Sequence, residues 1–132
     1  MYEPTVTQGL NEALGFALDE MGPERVVLSW TVGPQHLQPY GIVHGGVYCA
    51  AVETSASLGA ALWYGERGAV VGASNHTNFL RAVRAGRLVA TATPIHRGRS
   101  QQLWQVEVVD DDLRLVARGE VRLQNLSSEM PQ

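Results

Sequence analysis

Gly45-Gly46-Val47-Tyr48-Cys49-Ala50-Ala51-Val52-Glu53-Thr54-Ser55-Ala56-Ser57-Leu58-Gly59-Ala60-Ala61-Leu62-Trp63-Tyr64 holds one charge, Glu53, and no proline. Val47, Ala50, Ala51, Thr54, Leu58, Ala61 and Leu62 fall at helical spacing. Cys49, Ser57, Ala60 and Tyr64 lie opposite, so the helix is close to apolar all round. Such a helix belongs inside a fold rather than on its surface. From Val47 to Tyr64 it would run about 27 Å at 1.5 Å per residue. Its many small residues allow strands or a partner helix to come close.

The flanking segments read as a sheet. Val26 to Val32 alternates and ends at Gly33-Pro34. Val70 to Leu80, Leu88 to Ile95 and Leu103 to Val109 read as strands, and Asp110-Asp111-Asp112 as a hairpin turn. In the last strand Leu115, Ala117, Gly119, Val121 and Leu123 point one way, while Arg114, Arg118, Glu120 and Arg122 point the other. Thr7 to Leu18 carries a weak helical period. One long helix followed by consecutive antiparallel strands gives an α+β layered architecture. With 132 residues the chain has room for one domain, expected over residues 1–126, with a flexible tail over 127–132.

Composition narrows the functional classes. Cys49 is the single cysteine, which excludes an internal disulfide framework and a multi-cysteine metal site. There is no signal-peptide pattern and no apolar run of membrane-spanning length, so a cytoplasmic protein is expected. The charged fraction of 17% is low for a soluble chain, which points to surface hidden in an oligomer. All ten basic residues are arginine; residues 67–106 hold six of them and no acid. Arginine's planar fork suits phosphate. The formal net charge of −3 and the lack of an aromatic-rich basic motif disfavour nucleic acid and favour a small phosphorylated ligand.

Chemistry converges on the start of the helix. His44-Gly45-Gly46 opens it on glycines, so its first N–H groups and the positive end of its dipole are expected to be available to a ligand oxygen. Glu53 must be partnered, protonated or facing a cavity, because an unpaired buried carboxylate costs several kcal/mol. It suits a nucleophile or a general base on water; a structural ion pair with an arginine is the competing reading. Ser57 and Cys49, one turn either side, share its face. Gln38 sits just before the glycines, across Pro39-Tyr40-Gly41. Cys49 reads as packing, and His76 and His96 as strand residues. His44, Cys49 and Glu53 match no common zinc spacing. No phosphate-binding loop, dinucleotide fingerprint or serine elbow is present.

Gln38-Pro39-Tyr40-Gly41-Ile42-Val43-His44-Gly45-Gly46, followed by Glu53 and Ser57, resembles the hot-dog-fold acyl-CoA thioesterases. The similarity is greatest to the phenylacetic-acid-pathway type and its hydroxybenzoyl-CoA and dihydroxynaphthoyl-CoA relatives. Val70-Val71-Gly72, Asn78, Arg81 and His96-Arg97-Gly98-Arg99-Ser100 also fit. The resemblance implies a hot-dog fold, a long helix wrapped by an antiparallel sheet. It further implies a homodimer or dimer of dimers with active sites between subunits, and no cofactor beyond the coenzyme A of the substrate. It assigns Gly46 and Gly45 to the thioester carbonyl, Glu53 to attack or water activation, Gln38 and His44 to orientation, and Ser57 to the water or carboxylate. Arg81, Arg97, Arg99 and Ser100 would meet the coenzyme A phosphates, with Asn78, His96 and Gly98 beside them. Phe79 stands where some relatives carry histidine. The implied reaction is hydrolysis of an aromatic or medium-chain acyl-CoA. A non-catalytic acyl-CoA-binding module and a hot-dog hydratase are the alternatives, the latter without its expected Asp/His pair.

Overall fold

The computed structural model describes residues 8–128. The helix expected from the uncharged stretch is α2, Gly45–Tyr64. Before it lie a single helical turn α1 (Leu10–Ala13), strand β1 (Ala17–Met21) and strand β2 (Val26–Thr31). After it come β3 (Gly68–Phe79), β4 (Arg87–Arg97), β5 (Gln101–Val109) and β6 (Leu115–Ser127). The six strands form one antiparallel sheet in the order β1-β2-β4-β5-β6-β3. The sheet curls around α2, the architecture implied by the resemblance. No helix among the described residues is long and apolar enough to cross a membrane.

One expectation changes at the N-terminal end. The helical period from Thr7 to Leu18 yields one turn only, because Gly15 takes a φ of 70° and breaks it. The chain then leaves as β1, which pairs along β2. At the other end Ser127 completes β6, and the Ser128 N–H donates to the Arg67 carbonyl at 2.9 Å. The part of the expected tail that is described is therefore tied down; the remainder, 129–132, lies outside the described residues.

The buried stripe of α2 runs through Tyr48, Ala51, Val52, Ser55, Ala56, Gly59 and Ala60. The Leu58–Ala61–Leu62 side is less covered, and Leu62 is 41% exposed. Small residues fix how closely helix and sheet meet. A Cβ on Gly59 would sit 2.5 Å from the Trp104 ring, and one on Gly119 of β6 would sit 2.8 Å from Val52. Trp104 is completely buried, and its indole N–H donates to Gln102 Oε1 at 2.8 Å. Gln102 in turn donates to the Ala60 carbonyl and to Asn125 Oδ1. Asn125 then donates to the carbonyls of Gly98 and Arg99. This buried chain ties the helix to the turn between β4 and β5.

The Tyr48 hydroxyl is buried without a hydrogen-bond partner among the described residues. Burial first, and the nearby Asp110 charge second, push its pKa up to about 12 from 10.0. Below pH 10 both folded and unfolded chains keep this proton. Between pH 10 and 12 the unfolded chain alone loses it, so stability on the order of 2 kcal/mol drains away over that window. Tyr48→Phe should therefore be at least as stable as the wild type at pH 8 and lose less stability from pH 10 to 12, measured by urea denaturation. Equal alkaline losses in the two proteins would contradict this.

Candidate active site

The loop entering α2 is built on His36, which is 1% exposed. Its Nδ1 accepts the Gly33 N–H at 2.9 Å, so Nε2 carries the proton and donates to the Leu14 carbonyl. Its own carbonyl accepts the His44 N–H at 2.8 Å. Gln38 closes the loop beyond: its Oε1 accepts the Tyr40 N–H and its carbonyl the Gly41 N–H. That leaves the Gln38 amide nitrogen as a donor.

His44 alters the expected state of the helix start. It is the N-cap residue, and its exposed ring accepts the Gly46 N–H through Nδ1 at 2.8 Å. The absence of Ser, Thr, Asp or Asn thus does not leave the helix without a side-chain cap. Gly45 N–H has no acceptor among the described residues. With Nδ1 engaged as acceptor, the neutral His44 ring bears its proton on Nε2. Two donors, one backbone and one imidazole, therefore stand at the positive end of a 20-residue helix.

Beside them is a cavity of about 290 Å³ lined by Gln38, Gly45, Tyr48, Phe79 and Arg81, among others. The Phe79 ring lies on Gly45, where a Cβ would come within 2.6 Å of it, and its centroid is 6.0 Å from that of Tyr48. Gly45 is therefore required by the ring packed on it.

Glu53 lies a little over two turns further along, half-buried against β3. Its Oε1 accepts from Asn75 Nδ2 at 3.1 Å, and its Oε2 from Ser57 Oγ at 3.4 Å. Gly72 of β3 leaves room for Oε2, which a Cβ there would strike. Among the described residues no cation pairs with Glu53. The arginine ion pair considered from the sequence is not what holds it.

A third group sits at the far end of the helix. His96 and Arg97 line a cavity of about 390 Å³ with Trp63, Pro94 and Ile95. Arg97 pairs with Glu24 at 3.0 Å through one nitrogen and at 3.2 Å through the other, and lies over the Trp63 ring. Gly98 N–H closes the turn on the Gln101 carbonyl. Arg99 and Ser100 are exposed at its tip, and Asn125 and Gln124 hold the Ser100 carbonyl. Asn78 is exposed on β3, opposite Arg118.

The structure thus brings Gln38, His44, Gly45, Gly46 and Arg81 to one end of α2, Glu53 and Ser57 to its middle, and residues 96–100 to its other end. The sequence reading passed over Asn75, which bonds Glu53, and Thr77, whose Oγ1 lies 2.7 Å from Asn75 Oδ1. A run of small polar residues, Ser74 to Asn78, in a strand beside an apolar helix was the available signal.

A family model described as the thioesterase superfamily matches residues 40–117. The chain is 48% identical over 126 residues to a Mycobacterium tuberculosis protein named as a candidate esterase, spanning 93% of this chain and 90% of that one. It is 33% identical over 108 residues to the 1,4-dihydroxy-2-naphthoyl-CoA hydrolase of Listeria monocytogenes, spanning 82% and 88% of the two chains. A thioesterase structure from Haemophilus influenzae superposes with a TM-score of 0.90 at 31% identity, over 96% of this chain and 89% of that one.

Proposed function

The chain belongs to the thioesterase superfamily, and from that premise we propose that it hydrolyses an aromatic acyl-CoA to the free acid and coenzyme A. The observation that carries this reading is Glu53: the one charge of a 20-residue, largely buried helix, bonded by neutral donors and, among the described residues, by no cation. A structural role would be served better by an apolar residue or a paired charge.

In this reading the thioester carbonyl oxygen accepts from Gly45 N–H and His44 Nε2–H, with Gln38 orienting the group and Gly46 held by the His44 cap. These donors stabilise the oxyanion as the carbonyl carbon becomes tetrahedral. Glu53 either attacks that carbon directly or takes a proton from the water that does. The C–S bond then breaks and the thiolate leaves as coenzyme A. It takes the proton that Glu53 accepted from water or, on the direct route, one from solvent. On the direct route a water then cleaves the acyl–Glu53 anhydride, releasing the free acid and restoring the carboxylate. Side chains and backbone donors suffice for every step. Rapid quenching of a single turnover, with enzyme in excess over acyl-CoA, separates the two routes, since direct attack releases coenzyme A ahead of the free acid and leaves the acyl group on Glu53. Tyr48 and Phe79 beside the cavity favour an aromatic acyl group, as in the naphthoyl substrate named for the Listeria relative.

The site is drawn from two chains. Glu53 and Gly45 of one chain are about 12 Å apart along the helix axis, at 1.5 Å per residue. The Glu53 carboxylate is also bonded toward Ser57, away from the helix start. Catalytic contact needs roughly 3 Å. A second copy can supply the missing half along β3, an edge strand of 12 residues with Val71 and Phe79 about half exposed and Leu80 likewise just beyond its end. For coenzyme A phosphates, Arg99 is the uncommitted cation of the β4–β5 turn, whereas Arg97 is engaged by Glu24.

Glu53→Gln should keep the fold and lower turnover by roughly 10²–10⁴-fold, measured as free thiol released from a panel of aromatic, short- and long-chain acyl-CoAs. Retained turnover would remove Glu53 from the mechanism; coenzyme A binding without turnover in the wild type would favour a binding module. Arg99→Ala should raise KM for the acyl-CoA about tenfold with kcat nearly unchanged, the pattern of a lost binding contact. The same variant should leave KM unaltered for an acyl-pantetheine that lacks the phosphates. An equal rise for both substrates would place Arg99 elsewhere.

A further inference from the structure

Strand β3 carries an irregularity whose consequence falls on Glu53. Its register along β6 slips between Gly72 and Ser74, so Ala73 is an extra residue without a partner. Side chains alternate along a regular strand. Val70 packs against the core and Gly72 against the Glu53 carboxylate, so a regular strand would turn residues 74, 76 and 78 toward the helix. The bulge reverses that parity. Asn75 reaches Glu53 and Cys49 instead, and Phe79 lies on Gly45.

The amide orientation of Asn75 follows from its neighbours. Nδ2 is 3.1 Å from both Glu53 Oε1 and the Cys49 carbonyl oxygen, two groups that only accept. The amide oxygen is then left to accept the Thr77 hydroxyl at 2.7 Å. The opposite flip would set oxygen against oxygen twice and waste the hydroxyl donor.

We propose that Asn75 is a positioning residue for Glu53, and that Thr77 holds Asn75 in the donating orientation. This rests on the reading of Glu53 as the reacting carboxylate. Glu53 has several rotamers available, and its bond to Ser57 on the same helix, at 3.4 Å, is long. Asn75 bonds the carboxylate and the helix backbone one turn earlier through a single planar group. The carboxylate oxygen is thereby placed relative to the helix axis rather than left to the side chain's own torsions. Because the amide is neutral, it does this without adding an opposing charge. Misplacement of a reacting group by about 1 Å costs up to a hundredfold in rate.

Thr77 provides a test that separates orientation from packing. Thr77→Val keeps the shape and loses the hydroxyl; Thr77→Ser keeps the hydroxyl and loses the methyl. Thr77→Val should lower kcat about tenfold with KM within twofold, and Thr77→Ser should stay within twofold of the wild type in both. Asn75→Ala should lower kcat by about ten- to a hundredfold, again with KM nearly constant. Thermal melts of each variant establish that the compared proteins are folded. Equal losses for Val and Ser, or a Val variant indistinguishable from the wild type, would overturn the proposal. Glu53→Gln belongs in the same assay: if it still turns over, the reading of Glu53 has failed. If it is inactive while the Asn75 and Thr77 variants are not, the positioning role alone has failed.

Discussion

A carboxylate can be moved from water to a helix–sheet boundary only if donors meet it there, and the surroundings of Glu53 follow from that requirement. The helix that carries it is otherwise uncharged and packs its small residues into the sheet. The strand facing it cannot be a simple hydrophobic one. Gly72 gives the carboxylate room, and an amide and a hydroxyl bond its two oxygens. An arginine in place of Asn75 would satisfy the charge more strongly, yet would lower its basicity and nucleophilicity. The neutral donors Asn75 and Ser57 meet both carboxylate oxygens without pairing the charge.

The other half of the proposed site is the helix start, and its position depends on a loop held by the buried His36. His36 bonds backbone atoms on both sides of the loop, so the His44 cap is delivered in a fixed place. The glycines then serve different needs: Gly45 accommodates Phe79, while Gly46 donates to the cap. Helix geometry separates these groups from Glu53 by more than a side chain's reach. In the proposed enzyme, the same rigidity that makes each half well defined makes a lone chain incomplete.

Much of this was legible in the sequence because the signals are local. The run with Glu53 as its one charge set the helix from Gly45 to Tyr64, and residue composition for β3 and β4, with alternation for β5 and β6, located those strands within a few residues. Glu53 stood out because charge in such a helix is costly. Other features depend on contacts distant in the chain. The segment after Gly15 has the residues of a helix, but pairing with β2 makes it a strand. A histidine N-cap lies outside the usual capping set, so the Gly46 bond was invisible. The bulge at Ala73 shifts strand parity by one residue, which brings Asn75 rather than Ser74 to Glu53. The Gln102–Asn125 chain that holds the β4–β5 turn joins residues far apart in sequence, with no spacing to announce it.

The central claim is that one chain's helix start works with another chain's Glu53, and subunit complementation tests it directly. Glu53→Ala removes the carboxylate; His44→Ala removes the imidazole donor from the helix start, a loss of about 10²–10³-fold in turnover. Each variant alone should be nearly inactive. Mixed in equal amounts and allowed to exchange subunits, they should recover about a quarter of wild-type turnover, because half the dimers are mixed and each holds one intact site. No recovery, with mixed dimers demonstrated by mass, would mean that each site lies within a single chain and would contradict the account.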